Sequence, residues 1–257
     1  GLNTQTLYEF PLNERIRVFM RLEQLFLQLD HFLAGHSVVD MRAAISVLLD
    51  ILTIFSRSDL KSEIIKELER NTKVLKLLSK NLDVDSDKLA PILNDFNQAS
   101  KNLYETSGKI GIKLMESDLF QSISQRSSIP GGSCSFDLPA YHYWLEQDPH
   151  IQKIDLDRWT QPFTEVRNAI GLILGLLRQS GENSQELAEA GFFQLGLDKD
   201  HPVQLLRVSV AKALQCFAEI SGGKHRFSIR FMQASSDESR PSQVSSDIPF
   251  SLTRCMF

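Results

Sequence analysis

The residues best placed to do chemistry lie near the C-terminus, in Ile220-Ser221-Gly222-Gly223-Lys224-His225-Arg226-Phe227-Ser228-Ile229-Arg230-Phe231-Met232. From Arg226 onward this stretch alternates: Phe227, Ile229 and Phe231 fall on one face of a strand, Arg226, Ser228 and Arg230 on the other. Lys224, Arg226 and Arg230 are separated by even numbers, so an extended strand projects all three from one side, with positions two apart spaced by ~7 Å. Between Pro202 and Met232 stand Arg207, Lys212, Lys224, Arg226 and Arg230 against Glu219 alone, in a chain whose net charge is −4. A row of cations suits the carboxylates of an acidic peptide, which arginine can grip in bidentate fashion. The same row also reads as a solvated sheet face that keeps the protein soluble, and spacing alone does not choose between the two.

Other chemistries are weaker. The strand has a superficial likeness to the aromatic RNA-binding strand of RRM domains. There, however, aromatics share the exposed face with the basic residues so that bases can stack. Here Phe227 and Phe231 lie opposite the arginines and face the core, which fits a peptide or protein surface and not nucleic acid. Gly222-Gly223-Lys224 resembles the end of a phosphate loop, but Ala218 stands where the first glycine belongs and His225 where Ser or Thr would meet magnesium. It reads as a β-turn. The six histidines, His31, His36, His142, His150, His201 and His225, show no ligand spacing, and there is no calcium loop. Cys134 sits in a Gly-Gly-Ser-Cys-Ser turn without an identifiable base, so it reads as a packed or idle thiol. The sequence therefore predicts no enzyme, no cofactor and no metal.

The elements that must hold this strand follow from periodicity and punctuation. Residues 4–10 read as a short strand stopped by Pro11, with Asn13 capping a long helix that buries Ile16, Phe19, Leu22, Leu25, Phe26 and Leu29. Further helices are predicted from Val38 to Phe55, from a Ser58 cap through Leu78, from Asp85 or Ser86 through Leu103, and over 109–125. Ser128-Ile129-Pro130-Gly131-Gly132-Ser133-Cys134-Ser135-Phe136-Asp137-Leu138-Pro139 is a rigid Pro/Gly corner, followed by a short helix from Leu138 to Gln147. A long helix from Gln161 to Gln179 contains Ala169 to Leu177, apolar all round, which belongs at a bundle centre or a subunit interface. After Ser180-Gly181-Glu182-Asn183-Ser184 strand signals take over, in Ala190–Leu195, Val203–Val210 and Cys216–Met232. Residues 234–247 read as a mobile polar loop and Ile248–Phe257 as a last strand.

The predicted fold class is α+β. A helical bundle over 12–182 is inserted into an antiparallel β domain made of 2–11 and 183–257. At 257 residues and 42% hydrophobic content the chain can bury a sizeable core without disulfides. Three widely separated cysteines suit a reducing cytoplasm. No signal peptide is legible, and the longest apolar run is too short to span a bilayer.

With these residues in place, the chain resembles the ZapD family of bacterial cell division proteins. The likeness is carried by Tyr8-Glu9-Phe10-Pro11-Leu12-Asn13-Glu14-Arg15-Ile16-Arg17, by the corner Ser128–Pro139, by Leu176-Leu177-Arg178-Gln179-Ser180 and by Ile220–Met232, in the same order over nearly the whole chain. The resemblance implies a cytoplasmic, non-enzymatic homodimer, with the helical bundle over 12–182 as its dimerisation domain, recruited to the division site at midcell. Such a dimer binds the C-terminal tail of FtsZ and cross-links its filaments, stabilising the Z-ring. It also implies, as contacts to the acidic filament, Arg17, Arg21, Arg57 and His142 beside Lys224, Arg226 and Arg230. The match departs at Met115-Glu116-Ser117-Asp118, acidic where the family is expected to be basic. The alternative is a cytoplasmic adaptor that binds a different acidic protein through the same face.

Overall fold

The computed structural model describes residues 3–257. In chain order the elements are β1 (Gln5–Pro11), α1 (Glu14–Leu33), α2 (Val38–Arg57), α3 (Leu60–Ser79), α4 (Ser86–Glu105), α5 (Ile112–Met115), α6 (Asp118–Arg126), α7 (Pro139–Leu145), α8 (Pro149–Thr160) and α9 (Thr164–Gln179). The strands β2 (Glu182–Ala188), β3 (Phe192–Gly196), β4 (Leu205–Ala211), β5 (Phe217–Gly222), β6 (Arg226–Gln233), β7 (Ser242–Gln243) and β8 (Ile248–Cys255) follow. The fold is α+β. The chain divides into two compact units: residues through Phe19 with Leu174–Phe257, and Met20–Ile173. Leu2, placed in the β domain from sequence, lies outside the described residues.

The first unit is built from two antiparallel sheets, ordered β1-β4-β8-β2 and β3-β6-β5 with β7 also paired to β6. The first and last strands of the chain flank β4, with Glu9 opposite Arg207 and Arg207 opposite Thr253. Alternation decides what is buried. Leu206, Val208, Val210, Phe250 and Leu252 from one sheet and Phe227, Ile229 and Phe231 from the other form one apolar cluster, against which Tyr8, Phe10 and Phe193 pack. On the opposite face of the larger sheet the Glu9 carboxylate accepts from Arg178 at 2.9 and 3.0 Å and meets Arg207 at 3.1 Å.

In the helical unit the caps follow the sequence closely. Ser37 and Asp40 make a reciprocal capping box on α2, and Asp85 caps α4. The cap of α3 is Asp59, accepting from the Ser62 amide at 3.2 Å, and not Ser58 as expected. Residues 109–125 form two short helices instead of one, because the chain breaks at Glu116-Ser117. Helix α8 was not foreseen. Its Trp159 ring meets Phe120 and Trp144 at about 5 Å, and the Trp144 indole donates to Asp155 at 2.9 Å.

The Pro/Gly corner is held from both sides. Arg42 on α2 donates to the carbonyl and hydroxyl of Ser133 at 3.2 and 2.9 Å and stacks over Tyr141. Burial pushes the Tyr141 phenol up to about 12, against the opposing pull of that guanidinium. Arg126 pairs with Asp137 at 2.9 Å, and Asp137 accepts from the Cys134 amide. Gly131 adopts φ +65, and a Cβ on Gly132 would sit 2.8 Å from that of Ile129.

Two further strands depart from expectation. β2 is a full strand in a stretch to which the sequence assigns none, because it is almost wholly polar; it is an edge strand whose Asn183 side chain bonds Ser251 and Thr253 on β8. The polar segment 234–247 contains β7, anchored by Val244 donating to the Phe231 carbonyl. Helix α9 is not enclosed all round. Ala169, Ile170, Ile173, Leu174 and Leu177 are buried, while Gly171 is exposed and Leu172, Gly175 and Leu176 are half-buried.

Candidate functional site

The site is assembled on β6, the central strand of the smaller sheet. Phe227, Ile229 and Phe231 point into the core, so Arg226 and Arg230 are driven to the outer face and are exposed. Antiparallel register then fixes their neighbours. Gly196 lies opposite Arg226, Gln194 opposite Ser228 and Phe192 opposite Arg230 on β3; Ser221 and Glu219 face Ser228 and Arg230 from β5.

Lys224 is not on the strand row as its even spacing suggested. It sits with His225 at the tip of the β5–β6 hairpin, closed by the Gly223 amide donating to the Arg226 carbonyl at 3.1 Å. Close approach favours glycine at 222, since a Cβ there would lie 2.7 Å from a methyl of Leu12 and 3.1 Å from the Cβ of Phe227, and both would have to give way. The hairpin still delivers Lys224 to the same place. A concavity of about 520 Å³ is lined by Lys224, His225, Arg226 and Arg230, with Phe192, Gln194 and Ser228 among its walls.

The electrostatics of this hollow are one-sided. Glu219 is directly opposite Arg230, yet no ion pair joins them. Arg230 instead leans the other way, its guanidinium 5.9 Å from the centre of the Phe192 ring. Among the described residues no carboxylate pairs with Lys224, Arg226 or Arg230. Three cations in a shallow hollow with one aromatic wall suit an acidic peptide with an apolar contact. No group of three or more His, Cys, Asp or Glu among the described residues is placed to hold a metal ion.

The remaining candidates are differently situated. Arg17 is committed internally: it donates to the Pro11 carbonyl at 3.2 Å, lies 3.4 Å from Glu14 and stacks over Phe10. Arg21, Arg57 and His142 belong to the helical unit and are exposed. Arg57 lines a separate concavity of about 620 Å³ with Lys61 and Lys109, neither of which sequence reasoning singled out. Phe192 and Gln194 were also missed. Their strand was legible, but their place beside the arginines depends on a register that only the folded sheet reveals.

The family profile described as "ZapD: Cell division protein" matches residues 20–230. The chain belongs to the ZapD family. It is 49% identical over 255 residues to "Cell division protein ZapD" of Methylococcus capsulatus, covering 99% of this chain and 100% of that one. It is 41% identical to the same-named protein of Nitrosomonas europaea, over 99% and 96% of the two chains, and 40% identical to that of Aromatoleum aromaticum, over 96% of each. The chain is thus a cell division protein of the ZapD family, and no helix among its described residues is long and apolar enough to cross a membrane.

Proposed function

We propose that this ZapD-family protein is a non-enzymatic, bivalent scaffold of the division site. A homodimer in the cytoplasm binds the C-terminal tail of FtsZ and cross-links FtsZ filaments into bundles that stabilise the Z-ring at midcell. The observation that carries the reading is the hollow on β6, where Lys224, Arg226 and Arg230 stand free of carboxylates in a chain of net charge −4. Charge-assisted bonds from guanidinium to carboxylate are about twice as strong as neutral ones, so such a hollow selects an acidic tail. Bundling then follows from symmetry: one site per protomer can coat a filament, and two sites on a two-fold dimer can join two.

The partly uncovered face of α9 supports the dimer. Beyond Gly171 and Gly175 the space within this chain is open, and a second copy can approach the helix backbone there. Arg21, Arg57 and His142 are proposed as further filament contacts. Arg17, already bonded to Pro11, contributes chiefly by fixing the start of α1.

The test is a titration of a labelled FtsZ tail peptide against the folded protein by fluorescence anisotropy, with sedimentation of FtsZ filaments as the bundling assay. Saturable, salt-sensitive binding and pelleting are expected. A folded dimer that leaves the tail unbound overturns the FtsZ assignment and favours an adaptor for another acidic protein.

A further inference from the structure

We infer that the acidic tail is held in two parts: its carboxylates lie in the hollow on β6, and a bulky apolar side chain of the same tail seats in a second hollow that meets the first at the tip of the β5–β6 hairpin. This rests on the peptide-binding reading above and specifies the ligand, an acidic segment with an apolar anchor at one end.

The second hollow, of about 380 Å³, lies between the start of α1, the β3–β4 loop and the hairpin tip. That is the low end of the ~300–1,000 Å³ range of ligand pockets, and it suits a side chain better than a cofactor. Its apolar lining is Leu12, Leu197, Pro202 and Val203. Leu12, Leu197 and Val203 pack against the apolar cluster of the β unit yet are only half-buried, so each leaves a side uncovered.

The polar side chains in the same wall are already committed. The Asn13 amide group donates to the Gln204 side chain at 3.2 Å and its oxygen accepts from the Ile16 amide at 2.9 Å. Gln204 donates in turn to the Phe257 carbonyl. Asp198 lies 3.0 Å from a His201 ring nitrogen and accepts from the Asp200 amide at 3.0 Å. A polar ligand finds little to bond there, whereas an apolar side chain gains by covering the half-buried ones. The walls are also pre-formed. Leu12 donates to the Gln204 carbonyl and Gln204 to the Cys255 carbonyl, both at 2.9 Å, and Leu197 donates to the His225 carbonyl at 2.7 Å. Little ordering remains to be done on binding.

Two observations join this hollow to the cationic one. Gly223, Lys224 and His225 line both, so a chain lying in one runs directly into the other. Lys199 and Lys224 border the apolar hollow with no carboxylate partner among the described residues. An acidic segment complements them, while a second copy would bring like charges together. Arg230 and Lys224 are six positions apart, so an extended tail covers the cations with roughly six residues and its anchor comes next.

The experiment uses the wild-type protein and labelled peptides read by anisotropy: the FtsZ tail, and a synthetic Glu/Ser peptide of roughly six residues ending in Leu, beside a version ending in Ser. Replacing Leu by Ser is expected to weaken binding about ten- to hundredfold, the loss of one buried apolar side chain. The salt dependence should stay the same, because every charge is kept. The Leu, and each apolar residue of the FtsZ tail in turn, is also exchanged for a photoreactive benzophenone side chain. Cross-links mapped by mass spectrometry are expected at Leu12 or within 197–203. Only the peptide is altered, so the fold of the protein is not perturbed.

Binding that is lost on charge reversal of Arg226 and Arg230, yet is indifferent to the apolar residue, overturns the two-part site and leaves the peptide-binding reading standing. Cross-links confined to the helical unit overturn it as well. An unbound FtsZ tail, beside a Leu peptide that binds and cross-links as expected, upholds the two-part site and removes FtsZ as its partner.

Discussion

At the scale of single residues, burial and charge separate stability from binding. Arg226 and Arg230 are exposed and unpaired, so replacing them changes stability by no more than about 0.5 kcal/mol each. Their bonds to an acidic tail are charge-assisted and contribute roughly 1.5–3 kcal/mol each. Arg226→Glu with Arg230→Glu is therefore expected to keep the melting temperature and weaken tail binding by at least about a hundredfold, read by anisotropy beside a thermal melt. The outward direction of these arginines was legible because alternation is a local property. The position of Lys224 was not, since two glycines turn the chain and end the alternation before it. Asp30 contributes to the acid sensitivity of the helical unit. Asp30 accepts from Arg167 at 2.7 Å, and that hydrogen bond holds its carboxyl below the ordinary value. A carboxyl depressed in the folded state contributes stability that is complete above its unfolded value, about 4, and is lost as pH falls through the folded one. Melts below about pH 4 are expected to fall less steeply in Arg167→Gln than in the wild type, by a small margin because both side chains are about half exposed.

At the scale of elements, the corner between α6 and α7 makes the clearest demand. Gly131 at φ +65 has open space around it, so Gly131→Val is opposed by backbone conformation alone, at a cost of about 1–3 kcal/mol. Gly132 has no such φ, but its Cβ would press on Ile129 and the Ile129 carbonyl. Both Gly131→Val and Gly132→Ala are expected to lower the melting temperature, with tail affinity per folded molecule unchanged. An undiminished melt with lost bundling would instead mark the corner as a contact loop. The sequence announced this element because proline and glycine act within a few residues. It did not announce β2, whose Glu-Asn-Ser-Gln-Glu run has no apolar alternation and becomes a strand only because β8 offers a partner. Nor did it announce α8, whose apolar stripe is weak and which is fixed by Gln152 donating to the Trp144 and Leu145 carbonyls. Elements held by a partner's backbone are invisible to periodicity.

At the scale of the whole molecule, the proposed bundling requires two sites in one particle. Sedimentation is expected to give a dimer at micromolar concentration, and a monomer there removes the bivalent mechanism whatever the tail affinity. Bundling should weaken steeply between low and physiological salt, since the Debye length contracts from ~30 Å at 0.01 M to ~8 Å at 0.15 M. The α+β class was readable because a long helical stretch lies between segments of strand character, whereas the partly bare face of α9 emerges only once its neighbours are in place. The strand order β1-β4-β8-β2 carries one more consequence, for the birth of the protein. During translation β1 emerges long before its partner β4, which begins only at Leu205, and before β8, which joins β4 to β2 and ends at Cys255. At about 5–20 residues per second the first strand waits roughly 10–40 s with Tyr8 and Phe10 uncovered, while the intervening helices are already able to collapse. A chain cut short before β8 is made has a β1-β4-β8-β2 sheet that cannot close, and it is such incomplete chains that quality control must recognise.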